Sequence, residues 1–211
     1  MNKKVVILDY EMGNLFSVKN AFLSFGVETT ISSDKAVIAA ADAVILPGVG
    51  AFGQAMDNLR RLDLVETFSN FCKSGKPVLG ICLGLQLLFN ESEEFGNSKG
   101  LGLVPGTVKK FDQGSDMDLK VPHIGWNEIS RVNRTNTDML QGIDKDAMYF
   151  VHSYYVMPES ADAVLTTTNY DGFIFCSSIQ INNIFACQFH PEKSGKKGLN
   201  IFMNWYDKFV K

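Results

Sequence analysis

Hydrophobic positions fall into two textures along the chain. In the first half, Val27 to Ile31 predicts a strand, and short apolar runs lie at Lys4 to Leu8, Ala43 to Leu46 and Pro77 to Ile81. Such runs without alternation predict strands buried on both faces, as in a parallel sheet. Between them lie stretches that predict helices. One runs from an Asn14 cap to Phe25 and is stopped by Gly26, and one or two fill Ala51 to Ser74 and end at Gly75. Another begins at Leu83 and is apolar nearly all round as far as Phe89, which makes it a buried helix. The rhythm of strand, helix and strand predicts an α/β fold with an open, mainly parallel sheet flanked by helices.

From Gly100 the runs shorten and lie closer together. Thr107 to Phe111, Glu128 to Val132, Met148 to Val156, Ala163 to Thr168, Phe173 to Ile179 and Ile184 to Phe189 predict strands of an antiparallel C-terminal half. Asn182-Asn183 suits a hairpin turn between the last two. A closing helix spans about Ser194 to Val210, with Leu199, Phe202, Met203, Tyr206 and Phe209 as its expected apolar stripe. The loop 112–118 is the expected mobile insertion. There is no repeat, low-complexity tract or linker, so residues 1–211 are expected to form one domain.

Composition narrows the class. The chain has 211 residues, 45% of them apolar and 20% charged, with a net charge of −3. That is ordinary for a soluble globular protein, and without a basic face it argues against nucleic acid as a partner. No apolar run is long enough to span a bilayer, and the N-terminus enters a strand directly, with no signal-peptide pattern. Four irregularly spaced cysteines do not make a disulfide framework, so a reducing cytoplasm is the expected compartment.

The chemistry gathers at Cys82. Gly80-Ile-Cys-Leu-Gly84 is G-x-C-x-G at a predicted strand-to-helix join, the thiol counterpart of the nucleophile elbow. The flanking glycines suit a cramped turn, and a helix N-terminus favours thiolate. An inert core cysteine is the competing reading, and a base must decide it. Of three histidines, His190 lies in His190-Pro-Glu192 at a predicted strand end. Residues two apart in extended chain share a face, so Glu192 is placed to orient the imidazole toward a nucleophile. Alone that motif also reads as a surface strand end. Gly48-Val-Gly-Ala-Phe-Gly53 matches a dinucleotide fingerprint, but it follows the third strand and no strand-ending acid lies at the expected distance. Its alternatives are a loop of bare N–H groups beside the nucleophile or a plain turn. No H-E-x-x-H or C-x-x-C pattern offers a metal site, and nothing calls for a cofactor.

Three motifs in this order, Pro47-Gly-Val-Gly50, Gly80-Ile-Cys-Leu-Gly-Leu-Gln86 and Gln188-Phe-His-Pro-Glu-Lys-Ser194, resemble class I (triad) glutamine amidotransferases. Asp9-Tyr-Glu-Met-Gly-Asn-Leu15, Ile124-Gly-Trp-Asn127 and Phe150-Val-His-Ser-Tyr154 bring the resemblance closest to glutaminase subunits of imidazole glycerol phosphate synthases, along essentially the whole chain. Glu11 departs from the pattern, which usually has a small residue there. The resemblance implies a flavodoxin-like core and hydrolysis of L-glutamine to glutamate and ammonia. It implies Cys82 as nucleophile, His190 as base and Glu192 as orienter. Leu83 and the Val49–Gly50 loop would supply oxyanion donors, with the Val49 peptide free to flip between two glycines as a gate. Gln86, Glu94, Ser153 and Tyr154 would contact substrate, although Glu94 also reads as one solvated carboxylate of Glu91-Ser-Glu-Glu94. Asn14, Trp126 and Lys193 would lie near a (β/α)8-barrel cyclase partner. A core aromatic is the competing reading of Trp126, and a solvated helix start that of Lys193 with Lys196 and Lys197. The competing functions are a paralogue feeding ammonia to nucleotide-sugar synthesis and a non-catalytic partner subunit.

Overall fold

The computed structural model describes residues 3–111, 119–132, 138–143 and 145–211. The loop 112–118 lies outside the described residues. In chain order the elements are β1 (Val5–Leu8), α1 (Leu15–Leu23), β2 (Thr29–Ser32), α2 (Lys35–Ala39), β3 (Ala43–Gly48), α3 (Phe52–Arg61), α4 (Val65–Lys73), β4 (Val78–Cys82) and α5 (Leu83–Leu87). Next come β5 (Glu91–Ser92), β6 (Ser98–Lys99), β7 (Gly106–Lys110), β8 (His123–Glu128), β9 (Ser130–Arg131), β10 (Ala147–His152), β11 (Tyr154–Pro158), β12 (Val164–Tyr170), β13 (Phe173–Ile181), β14 (Ile184–Cys187) and α6 (Gly195–Trp205).

The main sheet runs β2-β1-β3-β4-β14-β13-β11-β7-β5-β6, with β12 and β9 added beside β13. The strands from β2 through β14 are mutually parallel, and those from β14 to β7 alternate in direction. The mixed α/β architecture is as the sequence predicts. The unbroken apolar runs are explained by burial on both faces. In β1, Val5 and Ile7 face the layer holding α1 and α6, while Val6 and Leu8 face the layer holding α3 and α4. Phe22 of α1 stacks on Phe202 of α6 at 4.8 Å and meets Trp205 edge-on at 6.0 Å.

Local signals act as expected at most helix ends. Asn14 Oδ1 accepts from Ser17 N at 3.3 Å, and Gly26 (φ +82) ends the α1 segment. The Ala51–Ser74 stretch is two helices, parted where Asp63 takes a positive φ of 53.

Four expectations need correction. Helix α2 is absent from the sequence prediction, although Asp34 caps it by accepting from Ala36 N and Val37 N. The run Met148 to Val156 is two strands, because β10 pairs only with β8 in a separate ribbon while β11 joins the main sheet. Ser153 is the break between them. The strand expected at Glu128 to Val132 is split, because β8 ends at Glu128 in the ribbon with β10 while β9 pairs with β12 in the main sheet. On α6 the buried face is Gly198, Ile201, Phe202 and Trp205, so Met203 of the expected stripe is exposed. Among the described residues, no helix is long and apolar enough to cross a membrane.

Candidate active site

Parallel register builds the site. Gly48 pairs with Cys82 across β3 and β4, and Ile81 pairs with Cys187 across β4 and β14. The carboxyl ends of three adjacent strands therefore meet, which is where open α/β sheets present their functional loops. Cys82 ends β4 with φ 54 and ψ −107, a left-handed conformation that a non-glycine residue holds only under constraint. The flanking glycines supply that constraint. A Cβ on Gly84 would stand 1.8 Å from the Leu46 carbonyl oxygen, and one on Gly80 would stand 2.8 Å from Ala186 Cβ. The elbow is thus wedged between β3 and β14.

His190 and Glu192 follow β14 around a short turn (Pro191–Lys193). His190 Nδ1 lies 2.8 Å from Glu192 Oε1, and both side chains are 2% exposed. A carboxylate only accepts, so Nδ1 carries the proton and Nε2 is the working nitrogen. Nε2 is buried with no hydrogen-bond partner among the described residues, and the charge of Cys82 acts on it. Burial alone would lower the imidazole pKa. The negative charge of Cys82, then Glu192, outweighs burial and raises it to about 10. Cys72 and Cys176 are pushed up to about 12 and Cys187 well above its usual value, chiefly by burial, so these three behave as inert core thiols.

Cys82 opens onto a cavity of about 260 Å³, lined also by Val49, Gly50, Leu83, Gln86, Glu94, Ser153 and Tyr154. Every oxyanion and substrate position picked out from the sequence thus lies on one wall or another of this space. Glu94 is half-buried, and its Oε2 accepts from Phe52 N at 2.6 Å, capping α3 from a distance. A carboxylate therefore occupies the helix N-terminus where a dinucleotide pyrophosphate would sit, which removes the fingerprint reading of Gly48–Gly53. Gly48 is a close-packing glycine, since an added Cβ would lie 2.3 Å from the Tyr10 hydroxyl oxygen. Gly50 has φ +103 and supplies the freedom of the loop. Trp126 is 55% exposed, which removes its core reading. Its ring centroid lies 6.0 Å from that of Tyr149, over which Lys193 Nζ sits at 5.8 Å. Helix α1, capped by Asn14, packs against the Pro191–Lys193 turn. Glu11, the departure from the pattern, forms an ion pair with Arg61.

The class-I glutamine amidotransferase model matches residues 6–209. The chain belongs to that family. Within it, the chain is 49% identical to the imidazole glycerol phosphate synthase subunit HisH of Syntrophotalea carbinolica, over 96% of this chain and 99% of that one. It is 48% identical to the protein of the same name from Aquifex aeolicus, over 99% of this chain and 98% of that one. Among solved structures it resembles PurLQS from Thermotoga maritima, with TM-score 0.76, 18% identity and coverage of 98% and 99%. That likeness extends to the fold.

Sequence reasoning missed some of the polar groups that serve this amidotransferase pocket. The Tyr10 hydroxyl is buried and donates to Pro47 O at 2.7 Å, bracing the loop that enters the cavity. Gln188 is fully buried and donates Nε2 to Cys82 Sγ at 3.6 Å. His152, which itself lines the cavity, forms a buried pair with His123. His152 Nδ1 meets Tyr154 O at 2.8 Å, His123 Nδ1 meets His152 Nε2 at 3.0 Å, and Asn127 Nδ2 meets His123 Nε2 at 2.9 Å. A carbonyl only accepts, so His152 carries its proton on Nδ1 and accepts at Nε2. His123 then donates from Nδ1 and accepts from the Asn127 amide. The available signal was a polar residue inside an apolar run, since Gln188 sits between Cys187 and Phe189.

Proposed function

We propose that this chain is the cytoplasmic glutaminase subunit of an imidazole glycerol phosphate synthase, releasing ammonia from L-glutamine for a (β/α)8-barrel cyclase. The observation that carries the reading is the buried Glu192–His190 pair beside Cys82, which itself lines a cavity large enough for one amino acid. The names of relatives 49% and 48% identical over nearly their whole length support the pathway.

Cys82 thiolate attacks the side-chain carboxamide carbon, and the carbonyl oxygen becomes an oxyanion. The N–H of Leu83 and one from the Val49–Gly50 loop receive that charge. His190 Nε2 then protonates the departing nitrogen, and ammonia leaves a thioester on Cys82. Neutral His190 next takes a proton from water, whose oxygen attacks the thioester, and glutamate departs as the thiolate–imidazolium pair is restored. Glu192 holds Nδ1–H throughout. Gln86 uses its side-chain amide hydrogens on Tyr154 O at 3.0 Å and Gln188 Oε1 at 3.1 Å, so it meets substrate only as an acceptor. Glu94 suits the α-ammonium of a free amino acid. Backbone groups of Ser153 and Tyr154 suit its carboxylate.

Ammonia set free in neutral water is mostly protonated and no longer nucleophilic, so the product needs a sheltered path to its acceptor. Ile124 and Trp126 are 60% and 55% exposed on β8, two residues apart and so on one face. With Lys193 and Asn14 they form the surface proposed for the cyclase. Gating of the oxyanion loop by the partner rests on Gly50, because Gly48 is packed tight.

The test is glutamine turnover with and without the barrel subunit and its ligand. Cys82→Ala should abolish glutamine-dependent synthesis and keep synthesis from added ammonia. Retention of glutamine hydrolysis by Cys82→Ala would overturn the assignment, and loss of both activities would favour a structural role. Full turnover by the isolated subunit would remove the gate.

A further inference from the structure

We infer that Gln188 is a positioning residue for the nucleophile: its buried carboxamide donates a hydrogen bond that holds and stabilises the Cys82 thiolate opposite His190. The inference deepens the glutaminase reading for that same site, but its main observations stand without it.

Register puts Gln188 where it is. Strand β14 runs parallel to β4 with Cys187 beside Ile81, so the next residue of each strand comes alongside the other. Gln188 N donates to Ser177 O at 2.9 Å, which fixes the backbone against β13. The side chain is fully buried, and a buried amide is retained only where its polar atoms have partners.

Those partners leave the amide one orientation. The Tyr154 carbonyl can only accept, so the group that Gln86 places against it at 3.0 Å is its nitrogen. The same nitrogen donates to Gln188 at 3.1 Å, so Gln188 must offer its oxygen there. Its nitrogen is then the atom that reaches Cys82 Sγ at 3.6 Å. Turning the Gln188 amide over would set donor against donor at Gln86 and oxygen against a thiolate at Cys82. The Tyr154 carbonyl is itself held at 2.8 Å by His152. The N–H that faces the sulfur is therefore aimed by a chain of partners that begins outside the catalytic groups.

The chemical consequence is specific. A thiolate in a water-poor site is stabilised by each donor that meets it, and a hydrogen bond to the charged form favours that form. His190 supplies one donor, which it must give up when it protonates the leaving nitrogen. Gln188 supplies one that never leaves, so the sulfur keeps its position through acylation and deacylation.

The experiment measures alkylation of Cys82 by iodoacetamide against pH, read by mass on the Cys82 peptide, in the protein as it stands. Two variants are compared, so that the reading does not depend on the folding of either. Gln188→Met removes the donor at similar volume, and Gln188→Glu keeps the shape but sets a carboxylate against the sulfur. The pH midpoint of alkylation should rise by about one unit in Gln188→Met, and further in Gln188→Glu. In the complex with the barrel subunit and its ligand, kcat for glutamine should fall about tenfold with KM little changed. Midpoints unchanged in both variants would overturn the inference and leave Gln188 a packing residue. The alkylation arm uses no glutamine. A wild-type protein that releases no ammonia with its partner would therefore sink the glutaminase reading, while the midpoints still decide Gln188.

Discussion

The buried His123–His152 pair should make the fold sensitive to mild acid, and unfolding measurements can read that sensitivity without any catalytic assay. Burial is the main cause that lowers the pKa values, to about 4 for His123 and about 3 for His152. The charge of Asp171 opposes the shift at His123, and the Tyr154 hydrogen bond opposes it at His152. In the unfolded chain both imidazoles return to the ordinary value near 6.5. Between pH 7 and pH 5 the unfolded state therefore takes up protons that the folded state refuses. Stability is present above the unfolded value and lost as pH falls toward the folded ones. Over that interval the loss is about 1.8 kcal/mol for each histidine, or about 3.5 kcal/mol for the pair. The perturbation that isolates it is the double variant His123→Phe with His152→Phe. The pair already sits among Phe111, Phe150 and Phe175, and Asn127 is exposed enough to turn to water. The Tyr154 carbonyl keeps Gln86 as a partner. Urea unfolding at pH 7 and pH 5 would be followed by circular dichroism in both proteins. His190 remains in each, so its own titration is common to both apart from its charge coupling to His152, the least of the causes acting on that imidazole. The wild type should lose about 3.5 kcal/mol more than the double variant between the two pH values. Equal losses would refute the picture of two neutral imidazoles held in a polarised chain.

Three further outcomes follow from the geometry. Glu192→Gln replaces the charged partner of His190 Nδ1 by a neutral one and lowers the pKa of the imidazole, so kcat should fall about a hundredfold or more while ammonia-dependent synthesis in the complex persists. Gly84→Ala would force a methyl to within 1.8 Å of the Leu46 carbonyl oxygen, so the thermal midpoint should drop by the equivalent of about 3 kcal/mol or the protein should fail to accumulate soluble. Tyr10→Phe takes the donor from Pro47 O, which should cost about 1 kcal/mol in urea unfolding and weaken glutamine turnover through the loosened Val49–Gly50 loop.

What was legible in the chain, and what was not, follows from how far each feature depends on pairing. The strands β1, β3 and β4 announce themselves because burial on both faces demands apolar runs. The elbow announces itself because glycine is the only residue that fits beside Cys82 between two neighbouring strands. Errors came where one pattern serves two structures. Met148 to Val156 is mostly apolar and aromatic, and its only interruption, His152-Ser153, marks the place where the chain changes sheets. Helix α2 is only five residues long, too short to show an apolar stripe, and its one signal was Asp34 as a cap. On α6 the residues Leu199, Phe202, Met203, Tyr206 and Phe209 satisfy a helical period. Gly198, Ile201, Phe202 and Trp205 satisfy it equally, and contact with α1 selects the second set. The π-type turn at Tyr206–Val210 then shifts the angular position of everything beyond Trp205.

The polar machinery behind the cavity was the least legible part, and the reason is topological. Cys82 and His190 are 108 positions apart, yet each carries a motif that points to its partner's chemistry. His152, Gln86 and Gln188 lie within motifs, but neither those motifs nor His123 say which side chains these groups meet. Their meaning arises from two registers, His152 opposite His123 in the β8–β10 ribbon and Cys187 opposite Ile81 in the main sheet. Once those registers are set, motifs that looked separate become one body. Asn127 donates to His123, His123 to His152, and His152 to the Tyr154 carbonyl, which Gln86 also reaches before passing to Gln188 and Cys82. Every donor in that series has a single permitted direction, because it starts from a carbonyl that can only accept. The sequence segments Ile124–Asn127, Phe150–Tyr154, Gly80–Gln86 and Gln188–Ser194 thus belong together for a physical reason. Each supplies a link that the next one needs in order to hold the thiolate still.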